Sequence, residues 1–116
     1  MTGTGKITER EFMAMVIELA KLHQWRVAHF RPGMNRRGEW QTAVQGDGVG
    51  FPDAILVRNI HCLAIELKTG KNKTTPEQDA WLAAFDAAGI YAAVWRPDDW
   101  KLIEAVLKYG PIFPKG

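Results

Sequence analysis

Two acids and a lysine carry the densest chemistry in this 116-residue chain: Asp53, then twelve intervening residues, then Glu66 and Lys68. Asp53 closes the stretch Gly50-Phe51-Pro52-Asp53 and precedes an apolar run, Ala54-Ile55-Leu56-Val57. A second apolar run, Cys62-Leu63-Ala64-Ile65, leads straight into Glu66. Two β-rich runs around the polar pair Arg58-Asn59 read as an antiparallel hairpin. Side chains alternate faces along a strand, so Glu66 and Lys68 share one face and Leu67 points the other way. The hairpin brings Asp53, at the start of its first strand, beside Glu66, at the end of its second. Two carboxylates and an ammonium at one end of a small sheet form a constellation that holds a divalent metal against a phosphate.

The surrounding elements must position that end. Thr8-Glu9-Arg10-Glu11 has the form of a capping box, with Thr8 as N-cap and Glu11 reaching back to it. The helix that follows carries Phe12, Val16, Leu19 and Ala20 on one face at helical spacing, and Glu9 lies on that same face. Glu11 thus has a structural task, whereas Glu9 is an acid aimed toward the core. Trp25 to Phe30 reads as the first strand. Arg31 to Gly50 reads as a long glycine-containing loop, and loops of that length are uncommon in compact domains unless functional or disordered. Within it, Gly46-Asp47-Gly48 has the composition of a turn rather than of a metal site. After Lys68, the run Thr69-Gly70-Lys71-Asn72-Lys73 is a basic connector. Thr75-Pro76-Glu77-Gln78 opens a second helix with a second capping box, Pro76 at the favoured first position. Gln78 also shares a face with Trp81, Leu82 and Phe85. Ile90 to Trp95 is nearly all apolar, the pattern of a strand buried on both faces. Pro97-Asp98-Asp99 starts a last helix, with Trp100, Ile103 and Leu107 along one side. The order helix, strand, hairpin, helix, strand, helix gives an α/β sandwich around one mixed sheet.

Taken together, the Asp53 to Glu66-x-Lys68 spacing, the preceding helix and the Gln-bearing helix resemble the PD-(D/E)xK nuclease superfamily. The Gly50-x-Pro52-Asp53 form with Gln78 is most similar to its VRR-NUC branch, often found in phages, from about Glu9 to Trp95. The resemblance implies a restriction-endonuclease-like core, a central mixed β-sheet flanked by helices. It implies a metal-dependent DNA endonuclease with Glu9, Asp53, Glu66, Lys68 and Gln78 at its catalytic site. Asp53, Glu66 and the Leu67 backbone carbonyl offer hard oxygen ligands, which suit Mg²⁺ or Mn²⁺. Lys68 would orient a water and offset charge on the phosphate. Arg31, Arg36 and Arg37, with Trp40 close by, suit contacts to DNA phosphates and bases, as do Lys71 and Lys73. Stand-alone members of the family act as homodimers on branched DNA such as Holliday junctions. Trp100, Tyr109, Ile112 and Phe113 near the C-terminus offer apolar surface for such a dimer. The readings from other classes are a catalytically silent DNA-binding module and a subunit that requires a partner; a monomer that cuts flaps or single strands is the simpler assembly.

Composition bounds these expectations. The length suits a single domain over residues 1–116, with 1–7 and 111–116 as tails. A hydrophobic fraction of 47% and a charged fraction of 24% are ordinary for a globular protein. The net charge of +2 is too small to indicate nucleic-acid binding, so the distribution of charge matters more. No apolar run approaches the roughly 20 residues that span a bilayer, which sets the expectation of no membrane partner. The start of the chain lacks a signal-peptide core, and the single Cys62 suits a reducing compartment; both set the expectation of a cytoplasmic protein, host cytoplasm if phage-encoded. The absence of Ser excludes a serine nucleophile. Gly3-Thr4-Gly5-Lys6 lacks the preceding strand that a phosphate-binding loop requires. His61 and Cys62 alternate faces and have no partners at zinc spacing, and His23 and His29 stand alone.

Overall fold

The computed structural model describes residues 6–30, 33–34, 37, 40–41 and 44–111. Helix α1 (Glu9–Leu22) starts at the expected capping box, with the Glu11 N–H donating to Thr8 Oγ1 at 3.0 Å and the Thr8 N–H donating to Glu11 Oε1 at 2.9 Å. Its buried face is Phe12, Met13, Val16 and Ala20. The helix is ended by Gln24 in the left-handed region, φ 69°, and by the Trp25 N–H donating back to the Ala20 carbonyl. Strand β1 (Arg26–His29) therefore begins one residue later than the apolar pattern suggests. Trp25 instead is a buried hinge whose indole N–H donates to the Leu107 carbonyl at 2.8 Å.

Strands β4 (Ala54–Arg58) and β5 (His61–Leu67) form the expected hairpin, turning through Asn59 at φ 56° and Ile60. Together with β1 and β6 (Tyr91–Trp95) they make a four-stranded mixed sheet in the order β1-β4-β5-β6. The first two pairings are antiparallel and β5–β6 is parallel. The chain between β5 and β6 passes through α2 (Pro76–Ala87), the crossover that a parallel pair needs.

Alternation along the strands sorts the sheet into two faces. Ala54, Leu56, Leu63, Ile65, Leu67 and Trp95 join Phe12 and Val16 of α1 and Ile103 and Leu107 of α3 (Trp100–Tyr109) in one core. Helices α1 and α3 thus cover one face, and α2 packs on β5 and β6 from the other. Each large side chain withdrawn fully from water contributes about 1.5–3 kcal/mol, so this shared core is what holds the sheet ends in place. The α/β architecture with a mixed sheet flanked by helices agrees with the expectation.

Three details differ. Strand β6 is parallel but lies at the sheet edge, and four of its five residues are only half-buried. Its apolar run reflects Tyr91, Ala93 and Trp95 packing on the core side, not coverage of a central strand. The long 31–50 segment contains a small two-stranded hairpin, β2 (Gly33–Met34) with β3 (Trp40–Gln41), so it is not structureless. The last helix is preceded by a separate 3-10 turn, Pro97–Asp99, because Asp99 caps the Arg96 N–H at 2.9 Å. No described helix is long and apolar enough to cross a membrane.

Candidate active site

The hairpin register creates the site. Ala54 pairs with Ile65, so Asp53, one step earlier, stands opposite Glu66, one step later. Both lie on the α2 face of the sheet, shared by Ala64 and opposite to the core face of Ile65 and Leu67. The Leu67 N–H donates to Asp53 Oδ2 at 2.8 Å, which fixes that carboxylate across the open end of the hairpin. Lys68 Nζ lies 3.5 Å from Glu66 Oε2, on the same face as expected. The Lys68 N–H donates to the Trp95 carbonyl at 3.1 Å, extending the parallel pairing past the end of β5 and anchoring Lys68.

Gln78 enters from α2. Its backbone N–H donates to Thr75 Oγ1 at 3.1 Å, and its side-chain oxygen accepts from the Thr75 N–H at 3.0 Å. The same side chain donates from Nε2 to Glu66 Oε2 at 3.0 Å. One amide therefore closes the helix cap with its oxygen and holds Glu66 with its nitrogen. The two roles that seem to compete in the sequence are filled together.

Glu66 is 2% exposed, and its other oxygen, Oε1, is buried with no hydrogen-bond donor to it among the described residues. Burial pushes its carboxyl up to about 8, and the neighbouring Asp53 carboxylate adds to the rise, against a smaller opposing pull from Lys68. Burial also raises the Asp53 carboxyl above its ordinary value, an effect offset in part by the Leu67 N–H and by a hydrogen bond with Glu66. The charge of Glu9 pushes Asp53 further up, which places α1's first-turn acid within electrostatic reach of the pair. Glu9 is half-buried and its Oε2 accepts from Asn72 Nδ2 at 3.4 Å. Glu11 serves the cap, as expected.

Asn72 and Arg96 support the site although no motif or spacing in the chain singles them out. Arg96 donates from Nη2 to the Asn72 carbonyl at 2.6 Å and from Nη1 to the Gly70 carbonyl at 3.4 Å. This clamp sets the 69–73 connector beside α1, which lets Asn72 reach Glu9. Lys71 and Lys73 are exposed on that connector, near the same sheet end. Arg37 is exposed at a turn between β2 and β3. Arg31 and Arg36 lie outside the described residues.

The donor set suits a hard divalent cation. Two carboxylates crowd one sheet end, and a buried carboxylate oxygen there has no partner among the described residues. A cation of that kind would satisfy the oxygen and relieve the repulsion, with Asp53, Glu66 and the Leu67 carbonyl as its ligands. Among the described residues no group of three or more His, Cys, Asp or Glu side chains is placed to hold a metal ion. The side-chain ligands are thus a pair, with Glu9 as a further charge from α1. No family model matches the chain, and neither a curated protein nor a solved structure matches it.

Proposed function

We propose that this chain is a metal-dependent DNA endonuclease with a restriction-endonuclease-like core, of the VRR-NUC type that its motifs resemble. The observation that carries the reading is the crowding of two buried acids, with Glu66 Oε1 meeting no N–H donor among the described residues and facing Asp53 instead. A buried polar atom left without a partner costs about 1–3 kcal/mol, and retaining one at a paired-carboxylate site suits a ligand that completes it.

Bound Mg²⁺ or Mn²⁺ would supply a Lewis acid and a water of lowered pKa. Asp53 is oriented for this by the Leu67 N–H, and Glu66 by the Gln78 amide and the Lys68 ammonium. Lys68 carries three N–H donors and one positive charge, which serve to orient an attacking water and to offset charge on the phosphate. Glu9 raises the negative potential around Asp53 from the α1 side. Lys71 and Lys73 provide exposed cations for backbone phosphates of the same strand.

For the assembly, we propose a homodimer acting on branched DNA, since a two-fold axis presents two sites to opposed strands. Trp100 packs against the core of its own chain, so among the described residues Tyr109, 62% exposed, is the aromatic near the C-terminus open to such a contact. Ile112 and Phe113 lie outside the described residues.

The test is cleavage by the isolated protein of a four-way junction, a duplex and a single strand, with Mn²⁺ or with chelator, alongside light scattering. Ion-dependent cutting of the junction by a dimer is expected. A folded protein that cuts none of the three with Mn²⁺ would overturn the reading.

A further inference from the structure

A cavity of about 510 Å³ opens beside the candidate site, between the loop ahead of Gly50 and helix α2. Its walls include Asp47, Val49, Glu77, Ala80, Trp81 and Ala84. The cavity and the site share a wall. Glu77 is the neighbour of Gln78, whose amide holds Glu66. Gly50, at φ 84°, presses its backbone onto this turn of α2; a Cβ there would come within 2.6 Å of the Glu77 carbonyl carbon. Only five residues lie between Asp47 and Asp53.

Its aromatic wall is fixed in advance. The Trp81 indole N–H donates to the Asp47 carbonyl at 2.9 Å, which ties the ring to the loop. Phe51 packs edge-on against Trp81, with centroids 4.9 Å apart at 77°, and is itself braced by Phe30 and Phe85. With its polar atom satisfied, the indole offers the cavity an apolar π-surface, flanked by Val49 and two alanines that leave room beside it.

The chemistry of the rim selects the occupant. Among the described residues no Lys or Arg lines the cavity, whereas Asp47 and Glu77 do. Two carboxylates repel a phosphate and accept hydrogen bonds from an amino group. An aromatic wall takes a flat π-system by stacking. A nucleobase with an exocyclic amino group meets both demands, because a carboxylate accepts well from the cytosine amino group, whereas thymine presents a carbonyl and a methyl at the corresponding edge.

We infer that this cavity is a subsite for an amino-bearing nucleobase of the strand whose phosphate lies at Asp53 and Glu66, an inference that rests on the proposed nuclease reading. The phosphate and its neighbouring base would be read by opposite sides of the first turn of α2. Strand position is then set by a base as well as by backbone charge, and the cut acquires a sequence preference.

Titrating the ¹⁵N-labelled protein with 2′-deoxycytidine and, separately, thymidine tests this without any phosphate, metal or cleavage step. Deoxycytidine is expected to shift the Trp81 indole N–H signal saturably, with thymidine weaker by on the order of ten-fold or more, as one hydrogen bond to a charged acceptor warrants. Ala80→Leu, at an exposed helical position, fills the cavity and should abolish the shift while the rest of the spectrum persists. No saturable shift up to the solubility limit, equal response to thymidine, or a shift that survives Ala80→Leu would each overturn the assignment. A protein that cuts DNA yet gives no Trp81 response loses the subsite and keeps the nuclease reading. One that binds deoxycytidine at Trp81 yet cuts nothing loses the nuclease reading and keeps a nucleobase site.

Discussion

At the turn end of the β4–β5 hairpin, the guanidinium of Arg58 ties three backbone carbonyls together. It donates to the carbonyls of His23 and Leu107 from Nη1, at 3.1 and 2.9 Å, and to that of Lys108 from Nη2, at 3.2 Å. It also lies over the Trp25 ring, 4.6 Å from the centroid. Those carbonyls end α1 and α3, so one cation meets the negative ends of two helix dipoles. At the open end of the same hairpin, Glu66 is buried against a second acid, Asp53, and its Oε1 has no partner among the described residues. The same two strands thus carry a cation that ties the fold together at one end and a crowded pair of acids at the other. On the proposed reading the difference separates a residue that serves stability from residues that serve chemistry, and each end can be tested for the role it should not have.

The largest expected effect is at the open end. Asp53→Asn and Glu66→Gln each remove a negative ligand at nearly constant volume. Cleavage should fall by at least about 10²-fold, while urea midpoints stay unchanged or rise, because the buried repulsion is relieved. A loss of stability that matches the loss of activity would erase the contrast between the ends. Arg58→Ala should behave in reverse, costing about 2–3 kcal/mol in denaturant unfolding, through hydrogen bonds from a charged donor and a lost cation–π contact. Cleavage measured well below its melting temperature should remain near wild type.

The crowded acids also predict a pH dependence. The folded metal-free protein keeps a proton on Glu66 up to about pH 8, whereas an unfolded glutamate releases it near 4.5. Between these values the folded state binds more protons, so stability is full below about 4.5 and declines as pH rises through about 8. The melting temperature in chelator should drop between pH 5 and pH 8 by on the order of 10 °C, and Glu66→Gln should remove most of that slope. Mn²⁺ should stabilise the wild type more at pH 8 than at pH 5, where protons compete for the carboxylates. A wild-type slope equal to that of Glu66→Gln would mean that Glu66 is not the buried acid described here.

The smallest effects distinguish the two acids of α1. Glu11→Ala should cost about 1 kcal/mol of stability through the lost cap and leave cleavage unchanged. Glu9→Gln should lower the cleavage rate with little change in the denaturation midpoint. The swapped outcome would assign the site to the wrong glutamate.

Much of the site was legible because its geometry is local. A period of two along β5 decides that Glu66 and Lys68 share a face, and the short turn at Asn59 and Ile60 fixes which residue faces Asp53. The caps at Thr8 and Thr75 formed as their four-residue patterns require, since every bond in them spans three residues. Gln78 was recognisable both as a cap and as a polar group on an apolar stripe; that one amide fills both roles depends on where α2 lies against β5. Strand order was not legible either, for a run such as Tyr91–Trp95 reads the same at the edge of a sheet as at its centre. Nor could the sequence indicate that Arg58 meets helix ends 35 and 49 residues away, that Arg96 fixes the connector carrying Asn72, or that Trp81 and Asp47 enclose a cavity. Hydrogen bonds and periodicity act over a few residues and are written in order along the chain. Contacts between distant elements follow from how their apolar faces share one core, and only the packed fold decides them.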